Sequence, residues 1–386
     1  MQNKDNKLGL VLEGGGARGA YQTGVLRALF DAGYSFDAVA GTSVGALNGV
    51  MIAQNEYDKS REIWDSLDYS KCFDISEEHA NNLAKGKFGR DTIKYFINFA
   101  RDTIKQGGVD TTKIKNIIRS NIDEDKLRNS GIEFGVMTYS IKNKRPYPIF
   151  VNDMPKGTVA DYVMASATFP GFQKTTVGED TFIDGGIYDN MPVNMLIDRG
   201  YLDLVAIETK SFIIKRKPTE KMAQIHYIRP SEKPGRSMDF RRESKERAIK
   251  IGYFDALKIL KGYVGDKYYI DVAGLNPFGY GLYTMKKVAF IKIANIVEAP
   301  TNAHSDILKA MEKLFKISCT NIADALLIII ERVAMALMID RLNVYSLEDL
   351  LKLISEKINL TDKNFKKDKF KKELDIIKVI LKYWSK

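Results

Sequence analysis

The sequence predicts an α/β protein with a mainly parallel central sheet and a helical C-terminal region. Short, continuously apolar runs alternate with segments of helical periodicity through the first half of the chain, joined by short loops. Strands that are apolar throughout are typical of parallel sheets covered on both faces. Beyond residue 270 the strand pattern gives way to helices. We therefore predict an α/β domain over residues 1–270 and a mainly helical region over residues 271–386.

The predicted elements begin with strand Leu8–Glu13, helix Gly19–Ala32, strand Phe36–Gly41 and a helix from Val44 to Gln54. Residues 57–128 read as polar helices, and we interpret them as an insertion that could cap a site. The later predicted strands are Ile132–Tyr139, Pro146–Val151, Thr181–Ile183, Leu204–Glu208 and Gln224–Ile228. The later predicted helices are Thr92–Lys105, Thr112–Ser120, Val159–Ala167, Asp239–Gly262, Ala303–Phe315, Ile322–Ile339, Leu347–Ile358 and Asn364–Trp384.

The composition is that of an ordinary globular protein of 386 residues, with 45% hydrophobic and 28% charged residues. Cys72 and Cys319 are far apart, which argues against a disulfide framework. His79, His226 and His304 are scattered and no Cys-x-x-Cys occurs, so structural zinc is not expected. We predict neither a metal nor a cofactor.

The net charge of +10 favours anionic partners, either lipid headgroups or nucleic acid, although it can also reflect a solvated basic surface. No nucleic-acid motif is present, so we expect no nucleic-acid partner. The first apolar run is too short for a signal peptide. Ile322–Ile339 is interrupted by Asp324, Glu331 and Arg332, which favours a buried helix over a membrane span. We expect a cytoplasmic protein with peripheral contact to an anionic membrane.

A basic amphipathic helix is predicted at the C-terminus. Between Thr361 and Lys386 there are nine lysines and four acidic residues, a local charge of +5. This pattern fits a helix lying on an anionic bilayer, and equally a helix docked on its own domain with its lysines in water. One apolar stripe repeats at helical spacing: Phe370, Leu374, Ile377, Leu381 and Trp384.

The most informative motif is Gly41-Thr42-Ser43-Val44-Gly45, a Gly-x-Ser-x-Gly pentapeptide. It lies between a predicted strand and a predicted helix. In that context the flanking glycines allow a sharp turn that lifts the serine hydroxyl above the end of a sheet. We therefore predict Ser43 as a nucleophile for acyl transfer.

Asp184 is the candidate base for Ser43. It ends the predicted strand Thr181–Ile183 and precedes Gly185 and Gly186, which places a carboxylate at the carboxyl edge of the sheet. An Asp before two glycines can also serve only to shape a turn. Beside an elbow serine we favour the catalytic role, in which partial burial would raise the pKa of Asp184.

A glycine turn, Gly14–Gly19, follows the first strand. Amides of Gly14, Gly15 and Gly16, backed by a helix N-terminus, can hold an anion and are predicted to form an oxyanion hole. The turn also fits the Gly-x-Gly-x-x-Gly of dinucleotide sites. The acid expected at the end of the second strand is missing there, because Asp37 lies near the beginning of that strand. A dinucleotide-binding oxidoreductase is therefore a minor alternative.

Several segments resemble the patatin-like phospholipase family, of the bacterial type with a helical C-terminal extension. Ala165–Pro170 is similar to the family's small-residue helix ending in Pro, and Asp189–Val193 to the loop and helix start after its Asp block. The resemblance covers about residues 8–265. Its three signature blocks occur in the family's order: Gly14–Gly19, Gly41–Gly45 and Asp184–Gly186.

The resemblance implies a three-layer α/β/α fold and hydrolysis of acyl esters, commonly of phospholipids and lysophospholipids. It implies a Ser43–Asp184 dyad without histidine and an oxyanion hole from the glycine turn. Arg18 either steadies that turn or meets a phosphate. The supporting glycines are Gly19, Gly41, Gly45, Gly185 and Gly186.

Two further alternatives remain from the sequence. Ser43, Asp184 and His226 follow the order of an α/β-hydrolase triad, but His226 lies within a predicted strand rather than a loop. A catalytically idle lipid-binding or scaffold module could also keep this fold, although the intact Ser43 and Asp184 speak against it.

Overall fold

The computed structural model describes residues 7–68, 107–169, 171–273, 275, 282, 285–360 and 370–384. The chain divides into two compact units, Met1–Ala256 and Leu257–Lys386, which are described separately. The boundary near residue 270 stays a prediction. The predicted helix Thr92–Lys105, the start of the predicted helix Asn364–Trp384, and Cys72, His79 and Pro170 lie outside the described residues.

The first unit is built on an eight-stranded sheet. In chain order its strands are β1 Leu8–Leu12, β2 Ala38–Thr42, β3 Glu133–Ser140, β4 Arg145–Phe150, β5 Thr175–Val177, β6 Asp180–Asp184, β7 Asp203–Ile207 and β8 Gln224–Ile228.

The sheet is mainly parallel, as the sequence predicts. Strands β3, β2, β1, β7 and β8 lie side by side in that order and run in one direction. Strands β4 and β6 run antiparallel to β3, and β5 runs antiparallel to β6. The sequence missed β5, because three residues are too few to show a strand period.

Helices cover both faces of this sheet. Since successive side chains of a strand point to opposite faces, each strand contributes to the packing on both sides. Val11 of β1 belongs to a core with Leu196, which lies in the helix Val193–Ile197. The strands β1, β2 and β3 also pack against the helix Val44–Ala53, where Leu12 lies close beneath the helix backbone. The predicted three-layer α/β/α fold is confirmed.

The helices of the first unit bear out most of the predicted boundaries to within a few residues. Three of the described helices lie in or at the end of the part of the chain interpreted as an insertion: Tyr57–Ser66, Thr112–Asn121 and Glu124–Asn129. In chain order the helices are Gly19–Asp31, Val44–Ala53, Tyr57–Ser66, Thr112–Asn121, Glu124–Asn129, Val159–Ser166, Val193–Ile197 and Arg242–Lys261, the last belonging to this unit up to Ala256.

The second unit is mainly helical, with a short parallel pair of strands, Tyr269–Asp271 and Val344–Ser346. Buried Glu331 accepts backbone N–H groups of Asp266, Lys267 and Tyr268 at 2.8–3.0 Å. Glu331, one of the three charged residues that interrupt the apolar run in the sequence, is thus a buried carboxylate with hydrogen-bond donors around it. The helices are Lys287–Val297, His304–Phe315, Ile322–Ala336, Leu347–Leu360 and Lys371–Tyr383.

The apolar stripe of the last helix faces the interior of its own unit. Leu374 and Ile377 are buried in the hydrophobic core, and Phe370 and Trp384 pack against it. Leu381 is 37% exposed. Of the two interpretations of this helix, docking on its own domain fits the structure. Among the described helices, none combines the length and hydrophobicity needed to cross a bilayer.

Candidate active site

Ser43 occupies a sharp turn between β2 and the helix Val44–Ala53. Its backbone has φ 55° and ψ −126°, a conformation that non-glycine residues rarely adopt. The turn can be this tight because Gly41 and Gly45, at the two ends of the pentapeptide, have no side chains. A Cβ on Gly41 would lie 2.4 Å from the Gly45 carbonyl oxygen, and one on Gly45 would lie 2.2 Å from the Leu12 carbonyl oxygen. The pentapeptide therefore forms the strained elbow that its pattern indicates.

Ser166 holds the backbone of this elbow. The Ser43 N–H donates to Ser166 Oγ at 2.9 Å, and the Ser166 hydroxyl donates to the Met137 carbonyl oxygen at 2.7 Å. Ser166 is fully buried at the end of the helix Val159–Ser166. The sequence assigned it no role, because a serine in a run of small residues carries no visible sign of a partner 123 residues away.

Strand β6 brings Asp184 to Ser43 along the same side of β3 that β2 occupies. Thr42, the last residue of β2, pairs with Met137, and Asp184, the last residue of β6, pairs with Thr138. Because β4 occupies the other side of β3 along residues 135–140, β2 and β6 share one side and their carboxyl ends meet. The sequence indicated this edge of the sheet for Asp184, but not the antiparallel approach.

The Asp184 carboxylate is buried, and it lines the same cavity as Ser43. Its Oδ1 also accepts the Gly186 N–H at 2.7 Å. Burial raises the pKa of Asp184 to about 6, and the nearby Ser43 side chain and the Gly186 N–H oppose that shift. The result is a carboxylate that is ionised at neutral pH and more basic than an exposed Asp, which suits it to accept a proton.

The glycine turn presents two backbone donors beside Ser43. The Gly14 N–H donates to the Asn190 carbonyl oxygen at 3.0 Å, so it does not fit the expected role in the oxyanion hole. For the amides of Gly15 and Gly16 we find no acceptor within the described part of the chain, and both residues line the cavity at Ser43. Gly16 has φ 59°, which favours glycine.

Buried Glu13 organises the underside of this turn. It accepts the Thr209 N–H, pairs with Lys215 Nζ at 3.0 Å, and accepts Asn190 Nδ2 at 3.2 Å. The same Asn190 amide and the Thr209 hydroxyl donate to the Gly14 carbonyl oxygen at 3.0 and 2.8 Å. Burial raises the pKa of Glu13, and the contacts with Thr209 and Lys215 oppose the shift. In the sequence, an acidic residue directly after a continuously apolar strand was the signal that could have identified Glu13.

Arg18 braces two loops that flank the turn. Its Nε donates to the Gly235 carbonyl oxygen at 3.1 Å, and its Nη1 donates to the Lys210 carbonyl oxygen at 3.2 Å. Arg18 is 8% exposed and lines the cavity. Of the two roles that the sequence left open, these contacts support steadying the turn.

A cavity of about 570 Å³ opens at Ser43 and Asp184. This volume lies within the range of about 300–1,000 Å³ that small-molecule sites occupy. Its walls are largely apolar and come from the helices Val44–Ala53, Tyr57–Ser66 and Thr112–Asn121. The side chains that carry this apolar character include Leu47, Met51, Ile63, Trp64, Ile114 and Ile118.

The positions of His226 and Asp37 argue against the histidine and dinucleotide alternatives. His226 Nε2 lies 3.1 Å from Asp203 Oδ1, and His226 is not among the residues that line the cavity. Asp37 accepts the Leu8 N–H at 2.8 Å at the amino end of β2, the edge opposite Ser43. An acid at that edge cannot reach a ribose held at the glycine turn.

The fold and the site define an α/β/α protein that carries a serine elbow, a buried carboxylate and an apolar cavity at one edge of its sheet. Residues 10–197 match the family model of the patatin-like phospholipases. This segment of the chain belongs to the patatin-like phospholipase family, and the resemblance inferred from the sequence blocks is confirmed.

Curated relatives include lysophospholipases. The chain is 27% identical over 206 residues to lysophospholipase nte1 of Aspergillus terreus, covering 53% of this chain and 12% of that protein. It is 25% identical over 209 residues to patatin-like phospholipase domain-containing protein 7 of Mus musculus, covering 53% of this chain and 14% of that protein. The matches therefore span a small fraction of these relatives' length.

Two solved structures are similar in part. VipD from Legionella pneumophila has a TM-score of 0.44 and 16% identity, covering 97% of this chain and 91% of that chain. ExoU, in its complex with SpcU from the type III secretion system of Pseudomonas aeruginosa, has a TM-score of 0.29 and 14% identity, covering 97% and 74%.

Proposed function

We propose that this chain is a lipid acyl hydrolase of the phospholipase A or lysophospholipase type. The observation that carries the proposal is that Ser43, in its strained elbow, and the buried Asp184 carboxylate lie together at an apolar cavity. Membership of the patatin-like phospholipases and similarity to lysophospholipases support a lipid ester as the substrate.

The proposed reaction runs in two halves through an acyl-enzyme. Asp184 takes the hydroxyl proton as Ser43 Oγ bonds to the ester carbonyl carbon, and the amides of Gly15 and Gly16 stabilise the oxyanion. Collapse of the tetrahedral intermediate breaks the ester C–O bond, and Asp184 returns the proton to the leaving alcohol. Water then attacks the acyl-enzyme and gives a proton to Asp184. That proton returns to Ser43 as the fatty acid leaves.

Ser43→Ala tests the proposal directly. We expect release of fatty acid from phospholipid or lysophospholipid, measured by mass spectrometry, to fall by a factor on the order of 10³ or more. Ser35→Ala, at an exposed position before β2, serves as the control and should retain the wild-type rate. Wild-type turnover by the Ser43→Ala protein would overturn the assignment. An idle lipid-binding module would show no turnover in any variant.

The activity should depend on the ionisation of Asp184. Because burial places the pKa of Asp184 at about 6, and the base must be ionised, kcat/KM should rise about tenfold per pH unit below that value and level off above about pH 7. A soluble p-nitrophenyl ester makes the measurement independent of lipid aggregation. A profile that is flat or falls between about pH 5 and 7 would contradict a carboxylate base.

A further inference from the structure

Exposed apolar side chains surround the mouth of the cavity. Phe212 is 92% exposed, Phe169 is 51%, Met238 is 47% and Ile213 is 38%. All four line the same cavity, although they come from three separate loops. Exposed apolar groups that converge on one place mark interaction sites, whereas scattered single ones need no explanation. We call these four residues the apolar rim.

The rim is fixed to the catalytic scaffold. The loop that carries Phe212 and the loop that carries Met238 are joined by Arg18, which donates to the carbonyl oxygens of Lys210 and Gly235. The Asn190 N–H also donates to the Ile214 carbonyl oxygen at 2.8 Å. The exposure of Phe212 is therefore imposed by a braced loop, next to a site that already contains apolar walls.

The same loop is strongly basic. Residues 210–217 read Lys-Ser-Phe-Ile-Ile-Lys-Arg-Lys, with four cations and no acid. Lys215 is committed to Glu13 and Glu208, and Arg216 stacks on Tyr188 at 3.7 Å. Lys217 is exposed and follows Ile213 by four residues in the same loop. An apolar tip with neighbouring lysines is complementary to a bilayer that has an apolar interior and an anionic surface.

We propose that the apolar rim and the 210–217 loop dock this protein on an anionic lipid bilayer, with the cavity mouth facing the membrane. This docking rests on the proposed function, because it takes the cavity as the site that holds the acyl chain. Docking in this orientation lets a chain pass from the bilayer interior to the apolar cavity without crossing water. The anionic surface is the partner because the loop's charge complements it.

The test uses the full-length Ser43→Ala protein, so that binding is measured without hydrolysis. Co-sedimentation with phosphatidylcholine vesicles containing phosphatidylglycerol gives the partition coefficient. Adding Phe212→Ser and Ile213→Ser should lower it by about tenfold or more. The matched control is Met222→Ser, which is 77% exposed at the amino end of β8, the opposite edge of the sheet. It should bind like the parent.

The charge of the loop has its own measurement. Lys217→Glu should weaken binding to vesicles that contain phosphatidylglycerol, reduce the salt dependence of that binding, and leave binding to pure phosphatidylcholine unchanged. Equal loss on both kinds of vesicle would overturn the charge-based choice of partner.

A second measurement controls for misfolding of the serine variants, because it removes no apolar side chain. Phe212→Trp, in the same Ser43→Ala protein, should show a blue shift of the emission on adding vesicles, whereas Met222→Trp should not. Vesicle binding unaffected by the change at Phe212 and Ile213 overturns the proposal, as does a parent protein that self-associates through the rim and ignores vesicles. Failure of wild-type lipid hydrolysis would sink the proposed function while leaving this binding result standing.

Discussion

Asp184→Asn is expected to abolish turnover and at the same time to stabilise the fold. The asparagine can still accept the Gly186 N–H but cannot take a proton from Ser43, so kcat should fall by a factor on the order of 10³ or more. Burial holds the Asp184 pKa near 6 instead of 3.8. This shift corresponds to roughly 3 kcal/mol of lost stability once the carboxylate is ionised. Replacing it should therefore raise the unfolding free energy by about 1–3 kcal/mol at neutral pH.

The pH dependence of this gain has a definite sign. Between about pH 4 and 6 the folded state holds the Asp184 proton more tightly than the unfolded chain, so wild-type stability falls as pH rises through that window. The Asp184→Asn protein lacks this loss, and the two proteins should converge below about pH 4. Urea unfolding at several pH values gives the difference, and rates on a soluble ester give kcat.

Asp180→Asn is the matched control for Asp184→Asn on the same strand. Burial raises the pKa of Asp180, but hydrogen bonds from Ser140 and from the Thr181 amide outweigh it and lower the pKa overall. The native state favours this ionised carboxylate, so the substitution should cost stability and leave kcat intact. If Asp184→Asn behaved in the same way, Asp184 would be a structural carboxylate and the catalytic assignment would be wrong.

The sequence was sufficient where the structure depends on neighbours in the chain. The elbow at Ser43 is encoded by an apolar strand, two glycines and a helix within about fifteen residues, a local pattern that fixes the backbone. The sequence could not show how β6 meets β2, because antiparallel pairing on β3 joins Asp184 to Thr138, two residues far apart in the chain. Sheet order is decided by tertiary packing.

Periodicity also identifies an amphipathic face without showing what covers it. The stripe through Leu374 and Ile377 was correctly seen as one side of a helix, yet the same spacing fits a bilayer and a protein core, and here the core takes it. The apolar rim left no periodic signal, because Phe169, Phe212 and Met238 lie in three loops. Such a surface becomes visible only when the loops are brought together.

Glu13→Gln is expected to slow catalysis without weakening substrate binding. Glu13 accepts from Thr209, Asn190 and Lys215, and two of these also donate to the Gly14 carbonyl oxygen. A glutamine can still accept from Thr209, but its amide nitrogen would face the donors of Asn190 and Lys215. Relief of that donor–donor contact requires movement of the glycine turn.

Movement of the turn should act on the transition state. The proposed oxyanion donors, Gly15 and Gly16, follow Gly14 directly, and losing the alignment of one donor costs about 10²–10³ in kcat. We expect kcat on a soluble ester to fall by about 10–10³-fold for Glu13→Gln with KM nearly unchanged. Stopped-flow or steady-state rates, corrected for the folded fraction from urea unfolding, give the comparison.

Glu208→Gln separates positioning of the turn from loss of an ion pair. Glu208 pairs with the same cation, Lys215, at 2.9 Å, and with Arg229. Among the described residues, its carboxylate makes no hydrogen bond with Gly14, Asn190 or Thr209. Both substitutions remove one carboxylate from Lys215, whereas only Glu13→Gln disturbs the donors shared with the turn. A drop in kcat confined to Glu13→Gln therefore assigns the effect to the glycine turn. Equal drops in both variants would assign it to Lys215 and the loop that this lysine anchors.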